Sequence, residues 1–341
     1  MKCRGVFRNF EVLRFYLLLI ISSGIISSCA HDFEYTNFQS ERLAREYKTK
    51  NVIVVVVDGL RYSEGWGDLT HQYIPRMAGI LAKEGVVNTN FYNLGDTYTS
   101  AGHTSLTTGI YQRINNAGKE LPNNPSIFQY WNQVYGNDQR KSWVIASKDK
   151  LAVLADCKNP YWNGQFTPSV NAGIEGLGLG SGYREDSLTL KIALKILSEN
   201  HPNLVLINFR DPDYAAHSGS WISYISGIRS TDEYVYRLWQ FLQSDNTYKN
   251  TTTLFVTNDH GRHLDGVDDG FAGHGDGCDG CRHISLFACG PDFKKNVVLN
   301  VSREQIDLPV TVSEILGFSL PNSKGKVMTE LFKYDRFIPN L

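Results

Sequence analysis

NVIVVVVDG (residues 51–59) is an unbroken run of β-branched residues that stops at an Asp-Gly pair. A strand with one solvent-facing side alternates apolar and polar residues, so a continuous Val/Ile run predicts a strand that is buried on both faces. Strands of this kind lie at the centre of parallel sheets whose two faces are covered by helices. The stretch therefore predicts an α/β fold.

Further apolar segments, separated by helical stretches, extend this pattern. We expect strands at SWVIAS, NLVLINF, TTLFVT and ISLFACG (142–147, 203–209, 252–257 and 284–290) and helices at 74–85, 125–134, 186–199 and 222–244. Such alternation indicates a doubly wound, mostly parallel central sheet with helices on both faces. No repeat, low-complexity segment or linker follows residue 50, so residues 51–341 are predicted to form a single domain.

The N-terminal segment has the features of an export signal. Four basic residues precede the apolar run FYLLLIISSGII (15–26), and small residues follow it; this order is typical of a secretory signal peptide. The ending Ile-Ser-Ser-Cys29 resembles a bacterial lipobox, in which the Cys is lipidated. We expect a signal peptide over 1–28, a tether over 29–50, and an exported protein anchored to the lipid membrane through Cys29, on the periplasmic or cell-surface side. An uncleaved signal anchor and plain secretion are the alternatives.

Composition disfavours two classes of protein. Charged residues make up 20% of the chain and the formal net charge is -1, whereas nucleic-acid binders usually carry a basic excess. Aromatic residues make up 12%, which is inconsistent with a disordered chain. The composition therefore indicates a globular protein without an evident nucleic-acid-binding surface.

Four cysteines follow the predicted tether, and two of them, Cys278 and Cys281, form a single CxxC pair. An exported protein would fold in an oxidising compartment, where disulfides are allowed. One CxxC without a second pair is a weak indication of a metal site. We therefore favour a disulfide or a simple loop staple for this pair.

Acidic and imidazole side chains cluster at the strand ends, where ligands bind in sheets of this type. The candidates are Asp58 after the first strand, Asp213 and His217 after NLVLINF, Asp259 and His260 after TTLFVT, and His274 before ISLFACG. Any one of them alone is explained by a helix cap or a turn. Converging carboxylates, however, repel one another unless cations neutralise them. Mixed Asp and His ligands suit zinc, so the set predicts two divalent metal ions with open positions for substrate.

A hydroxyl nucleophile is expected where DTYTSAGHTSLTTG (96–109) opens a short helix. Backbone N–H groups at a helix N-terminus favour an anionic phosphoryl group, and a metal-bound hydroxyl ionises more readily. From the chemistry alone Thr97, Thr99, Ser100 and Thr104 all qualify. Lys148 and Lys150 follow SWVIAS at the same edge. We expect a solvated loop there, and contact with the substrate phosphate is the alternative.

The ordered motifs over about 51–320 resemble the alkaline phosphatase superfamily, and within it the type I phosphodiesterase/nucleotide pyrophosphatase branch. NVIVVVVDGLR is similar to that family's opening strand, and TSAGH with the later TG is similar to its nucleophile segment. DPD with the following His, NDHG, and GPDFK are similar to its later motifs, starting at residues 211, 258 and 290.

The resemblance implies a catalytic mechanism and a ligand set. It selects Thr99 as the nucleophile that forms a covalent phosphoryl-threonine. It implies one zinc ion held by Asp213, His217 and His274, and a second held by Asp58, Asp259, His260 and the Thr99 oxygen. His283 is the alternative to His274 as the last ligand.

Departures from the family bear on the substrate. Ser-Ala-Gly after Thr99 replaces the family's Phe-Pro-Asn, and the phosphate-contacting Asn has only Asn115 and Asn116 as candidates. The Cys/Ser-x-Pro-x-Arg motif of sulfatases is missing. We predict a phosphoric ester hydrolase that acts on phosphodiesters or nucleotide-type substrates. The alternatives are a phosphate-monoester or phosphonate hydrolase, and a catalytically inactive surface-binding lipoprotein.

Overall fold

β1 (Asn51–Val57) lies inside the sheet with all seven residues buried. Its side chains alternate between two apolar cores, with Val52, Val54 and Val56 in one and Ile53, Val55 and Val57 in the other. Successive side chains of a strand point to opposite faces, so two buried faces require apolar residues at every position. The unbroken Val/Ile run meets this requirement, because it places an apolar residue at every position after Asn51.

The computed structural model describes residues 47–333. The predicted signal peptide, Cys29 and most of the tether lie outside the described residues, and the described residues all belong to one compact unit. Between residues 47 and 333, no helix is both long enough and apolar enough to cross a membrane.

The described chain has a nine-stranded sheet in the order β4-β3-β5-β1-β6-β7-β2-β8, with β9 paired to β2. The strands after β1 are β2 (Gly85–Tyr92), β3 (Ser142–Ala146), β4 (Ser169–Ala172), β5 (Leu204–Phe209), β6 (Thr252–Thr257), β7 (His283–Cys289), β8 (Val297–Leu299) and β9 (Arg303–Glu304). β7 runs antiparallel to both of its neighbours, and the other pairs are parallel.

Helices cover both faces of this sheet. They are α1 (Pro75–Gly79), α2 (Thr99–Thr108), α3 (Ile127–Tyr135), α4 (Asp186–Asn200), α5 (Asp213–Ala216), α6 (Trp221–Ser244), α7 (Asp279–Arg282) and α8 (Asp307–Leu316). Apolar residues of α3 and α8 pack into one core, and those of α1, α4 and α6 pack into the other. The predicted mostly parallel α/β sheet with helices on both faces is confirmed. The single helix expected over 74–85 is wrong, because the chain leaves α1 at Ile80 and continues as a 3-10 turn over Leu81–Glu84.

The order β5-β1-β6 places three parallel carboxyl ends side by side. The Asp58 N–H, one residue beyond β1, donates to the Phe209 carbonyl at the end of β5 at 3.1 Å, and the Asp213 N–H donates to the Asp58 carbonyl at 3.0 Å. These bonds fix the loop after β5 against the end of β1. The predicted metal ligands therefore meet at one edge of the sheet.

Candidate metal centre

Three buried ligand atoms at the ends of β1 and β6 face one another. His260 Nε2 lies 3.6 Å from Asp58 Oδ1 and 3.5 Å from Asp259 Oδ2. All three side chains are fully buried; Asp58 Oδ1 pairs with the Lys148 ammonium at 2.9 Å, and His260 Nε2 makes no hydrogen bond. Buried polar atoms without hydrogen bonds are costly. A cation bound between them would satisfy all three, so this donor set fits a metal ion.

A second set of ligand atoms adjoins the first. Asp213 Oδ1 lies 3.3 Å from His217 Nε2 and 3.4 Å from His274 Nε2, and the two imidazole nitrogens are 3.3 Å apart. The rings of His260 and His274 stack with their centroids 3.9 Å apart. The His217 side chain is half exposed, so this end of the site opens to solvent. Two adjacent positions for cations result.

The tautomers of His260 and His274 leave each Nε2 lone pair able to bind a metal ion. His260 Nδ1 lies 2.8 Å from the Gly261 carbonyl, and His274 Nδ1 lies 2.8 Å from the Thr97 carbonyl. A carbonyl only accepts, so Nδ1 carries the proton in both rings and the Nε2 lone pair faces the site. Burial also lowers the pKa of His260 and lowers that of His274 to about 2. Both shifts favour the neutral imidazole, which is the form that binds metals.

Thr99 is the first residue of α2, and its hydroxyl lies beside these ligands. Thr99 Oγ1 accepts a hydrogen bond from Lys148 Nζ at 3.2 Å, and the same Nζ lies 2.9 Å from Asp58 Oδ1 and 2.6 Å from Asp213 Oδ2. The Thr97 hydroxyl instead accepts from the Gly277 N–H at 3.2 Å. The Ser100 and Thr104 hydroxyls are buried and make no hydrogen bond. Of the four candidate hydroxyls, Thr99 is therefore the one that contacts the Lys148 ammonium. The same ammonium pairs with Asp58 of the first set and Asp213 of the second.

The solvated loop expected after β3 is wrong. The side chains of Lys148 and Lys150 are both buried, because β3 ends at the same sheet edge as β5 and β1. Burial disfavours the ammonium of Lys148, but Asp213 and Asp58 outweigh it and raise the pKa of Lys148 above its ordinary value. Burial raises the pKa of Asp213 and the Lys148 charge lowers it, with a net value well below the usual range.

The pKa values of the other carboxylates and of Lys150 follow their surroundings. Burial, followed by the charge of Asp259, raises the pKa of Asp58 well above its usual value. For Asp259, burial acts in the same direction, but His260 and His103 outweigh it and lower the pKa. Burial, followed by the Lys148 charge, lowers the pKa of Lys150 to about 8. These neighbouring carboxylates have very different pKa values because each one responds to the charges of the groups around it.

Three side chains that were not predicted as ligands orient the predicted ones. Asn208 Nδ2 donates to Asp58 Oδ2 at 3.1 Å and lies 3.1 Å from His103 Nε2. His103 Nδ1 lies 3.3 Å from Asp259 Oδ2 and 2.9 Å from the Thr99 carbonyl. Both nitrogens of His103 therefore have partners, and it orients Asp259 rather than offering a lone pair. The Arg262 guanidinium contacts Asp213 Oδ1.

Sequence signals for these residues are present but weak. Asn208 is a polar residue within the otherwise apolar strand β5, and Arg262 directly follows the Asp259-His260-Gly261 motif. A polar residue in a buried strand requires a partner, so the position of Asn208 is the stronger of the two signals.

The structure also shows where two further candidates lie, His283 as the alternative last metal ligand and Asn116 as the phosphate-contacting residue. His283 Nε2 lies 2.8 Å from the Thr89 carbonyl, and its ring stacks on Tyr62 and Tyr92. It does not join the cluster, whereas His274 does. Asn116 Oδ1 accepts from the Ser100 N–H at 2.9 Å and from Lys150 Nζ at 3.1 Å, so Asn116 lies at the start of α2.

The four cysteines within residues 47–333 are free thiols. The disulfide that was one of the two expectations for Cys278 and Cys281 is therefore absent from the structure. Cys278 directly precedes α7 and Cys281 lies within it, in the segment between β6 and β7 that also carries His274.

The comparisons with known proteins agree with this geometry. The sequence model of the Metalloenzyme superfamily matches residues 50–283, whereas no curated protein sequence matches the chain. An alkaline phosphatase superfamily protein from Vibrio parahaemolyticus has a similar structure, with a TM-score of 0.61 and 15% identity, covering 85% of this chain and 74% of that one.

Two further solved structures share the fold. A phosphonate monoester hydrolase from Silicibacter pomeroyi has a TM-score of 0.56 and 15% identity, covering 82% of this chain and 76% of that one. Inactive murine ectonucleotide pyrophosphatase/phosphodiesterase 5 in complex with AMP has a TM-score of 0.56 and 15% identity, covering 81% of this chain and 97% of that one. The resemblance stated from the motifs is confirmed: the chain belongs to the Metalloenzyme superfamily and has the fold of alkaline phosphatase superfamily proteins.

Proposed function

We propose that this protein is a two-metal phosphoric ester hydrolase that acts on phosphodiesters or nucleotide-type substrates through Thr99. The observation that carries the proposal is the convergence of the buried Asp58, Asp259 and His260 side chains at one sheet edge, where Lys148 Nζ contacts both Asp58 and the Thr99 hydroxyl. Two divalent ions, with zinc the best match to Asp and His ligands, would promote ionisation of the hydroxyl and neutralise charge at phosphorus. Asp213, His217 and His274 would hold one ion, and Asp58, Asp259 and His260 the other.

The protein's own groups prepare Thr99 for attack. Lys148 Nζ donates to Thr99 Oγ1 at 3.2 Å, which favours the oxyanion over the neutral hydroxyl. His103 holds the Thr99 carbonyl at 2.9 Å and so fixes the first turn of α2. Attack forms a bond from Thr99 Oγ1 to phosphorus as the bond to the leaving oxygen breaks. Water then hydrolyses the phosphoryl-threonine and restores the hydroxyl.

Lys148 and Lys150 support a second candidate substrate class. Both are buried near the start of α2, and Lys150 Nζ donates to Asn116, which also accepts from the Ser100 N–H. Two cations here would help to neutralise the additional charge of a phosphate monoester. A phosphate-monoester or phosphonate hydrolase is therefore the alternative to a diesterase. The proximity of the Asp and His side chains at one sheet edge supports an enzyme over a catalytically inactive binding protein.

The test is hydrolysis of matched aryl phosphate monoesters, aryl phosphate diesters and an aryl sulfate, with and without added zinc. We expect metal-dependent diester cleavage that falls at least about a thousandfold in Thr99→Ala, as for other enzymes that lose their nucleophile. The metal content of Thr99→Ala should stay near that of the wild type, whereas Asp213→Asn should lose activity together with the ion that Asp213 would hold.

Each contrary result removes a defined part of the proposal. Full activity of Thr99→Ala would remove Thr99 from its role. Faster cleavage of the monoester would move the assignment to the second candidate, and preferred cleavage of the aryl sulfate would overturn the phosphoric ester assignment.

A further inference from the structure

A cluster of side chains that could hold a metal ion lies apart from Asp213 and Asp58, in the segment between β6 and β7. His263, Asp276, Cys278 and Cys281 each offer one ligand atom, and these atoms all lie within 4.8 Å of one another. Tetrahedral zinc, at about 2.0–2.3 Å from its ligands, places ligand atoms about 3.3–3.8 Å apart. Small side-chain rotations would bring the four atoms to that spacing.

His263 points an unpartnered nitrogen into this cluster. Its side chain is 4% exposed, and its Nε2 makes no hydrogen bond although it lies 3.3 Å from Asp276 Oδ1. His263 Nδ1 lies 2.6 Å from Asp269 Oδ1. A carboxylate accepts, so Nδ1 donates to Asp269, and Nε2 is the ring nitrogen that faces Asp276 and the thiols. Metal-binding histidines are commonly oriented by a carboxylate in this way.

We propose that His263, Asp276, Cys278 and Cys281 bind a structural zinc ion separate from the catalytic pair. Four protein donors leave no open position, which is the arrangement of structural rather than catalytic zinc. The ion accounts for the CxxC pair and the unpartnered His263 nitrogen together. A disulfide between the two cysteines would leave that nitrogen without a partner.

The site would cross-link the loop that delivers metal ligands to the catalytic centre. The Gly261 N–H, next to His260, donates to the Cys281 carbonyl at 2.8 Å, and the His263 N–H donates to the Gly273 carbonyl at 3.0 Å. A zinc ion here would tie the segment after His260 to the segment after His274. Its role is therefore to position these two histidines.

The test is cobalt substitution in the full-length protein, prepared under reducing conditions. Thiolate ligands give Co²⁺ a sulfur-to-metal charge-transfer absorption in the near ultraviolet, which oxygen and nitrogen ligands do not. We expect this absorption in the wild type and its loss or reduction by about half in Cys278→Ser. Asp276→Asn should retain the absorption but release the ion at a lower chelator concentration. Both positions are partly exposed, so both variants should fold.

Two matched controls distinguish this site from the remaining thiols and from the catalytic centre. Cys157→Ser removes a buried thiol outside the cluster and should leave the absorption unchanged. Asp213→Asn should also retain it, so failure of the proposed catalytic centre would not remove this signal. Absence of the absorption from the wild type, or its persistence at full intensity in Cys278→Ser, would overturn the proposal. A Cys278–Cys281 disulfide in the purified protein, detected by mass spectrometry, would also overturn it.

Discussion

At the residue scale, Lys148 occupies the space between carboxylates that the proposed ions would share. Its ammonium lies 2.9 Å from Asp58 Oδ1 and 2.6 Å from Asp213 Oδ2. Both carboxylates are buried, so without a neighbouring cation they would repel each other in a medium that solvates them poorly. Lys148 therefore provides positive charge when metal is scarce and contacts Thr99 at the same time.

The variant Lys148→Met tests this compensation. In the metal-free protein it removes one partner of a buried ion pair, and we expect the free energy of unfolding to fall by about 3–5 kcal/mol. Excess zinc should recover most of this loss, because the metal neutralises the same carboxylates. Urea unfolding with a chelator and with zinc measures both values.

The control for this prediction is Lys150→Met. Lys150 donates to the neutral Asn116 amide oxygen, so its loss should cost only about 1 kcal/mol and should depend little on zinc. Equal destabilisation of Lys148→Met with and without zinc would contradict the idea that Lys148 and metal share the carboxylates.

At the element scale, α6 caps α1 through a tertiary contact. The Asp232 carboxylate of α6 accepts the backbone N–H groups of Arg76 and Met77 in the first turn of α1, each at 2.8 Å. Ile74, the residue that precedes α1, provides no side-chain cap. The first-turn N–H groups of α1 are therefore satisfied by a side chain from another helix.

This contact predicts a pH dependence of stability. Burial raises the pKa of Asp232 from 3.8 to about 6, so the folded protein holds a proton that the unfolded chain releases at lower pH. The free energy of unfolding should then fall as pH rises from about 4 to about 6, by no more than about 3 kcal/mol from this group. In Asp232→Asn this part of the slope should disappear.

Urea unfolding between pH 4 and pH 7 measures the slope. Glu233→Gln removes a neighbouring, partly exposed carboxylate that adds a smaller part to the raised pKa of Asp232, so this variant should keep most of the slope. Identical slopes in the wild type and Asp232→Asn would show that the Asp232 carboxylate does not hold a proton in the folded state in this range.

At the scale of the whole molecule, the proposed location depends on Cys29, which lies outside the described residues. We propose that the chain is exported and lipidated at this residue. Cys29→Ser should move the protein from the membrane fraction to the soluble fraction and abolish incorporation of labelled palmitate. Cys3→Ser, in the segment that would be removed, should change neither result. Membrane association that persists in Cys29→Ser without labelling would contradict lipid anchoring at this position.

The sequence alone was sufficient to predict five of the nine strands, β1, β3, β5, β6 and β7, and the ligand-bearing edge, whereas the shorter strands β4, β8 and β9 were not predicted. Buried strands require apolar residues on both faces, so the run at 51–57 predicted β1 with its observed bounds. Parallel strands align their carboxyl ends, so the residues that follow β1, β5 and β6 were expected to meet. Asp58, Asp213 and Asp259 were predicted as neighbours by this rule, without any knowledge of side-chain positions.

Only the tertiary structure decided which polar side chains complete these contacts. Lys148, Asn208 and Arg262 reach the site from three separate segments, and a buried lysine is indistinguishable from a solvated one in the sequence. Cys278 and Cys281 are free thiols in the folded chain, an outcome that their CxxC spacing alone did not decide. Local periodicity fixes backbone elements, whereas the partner of a charged or sulfur-containing side chain depends on which distant segments fold against it.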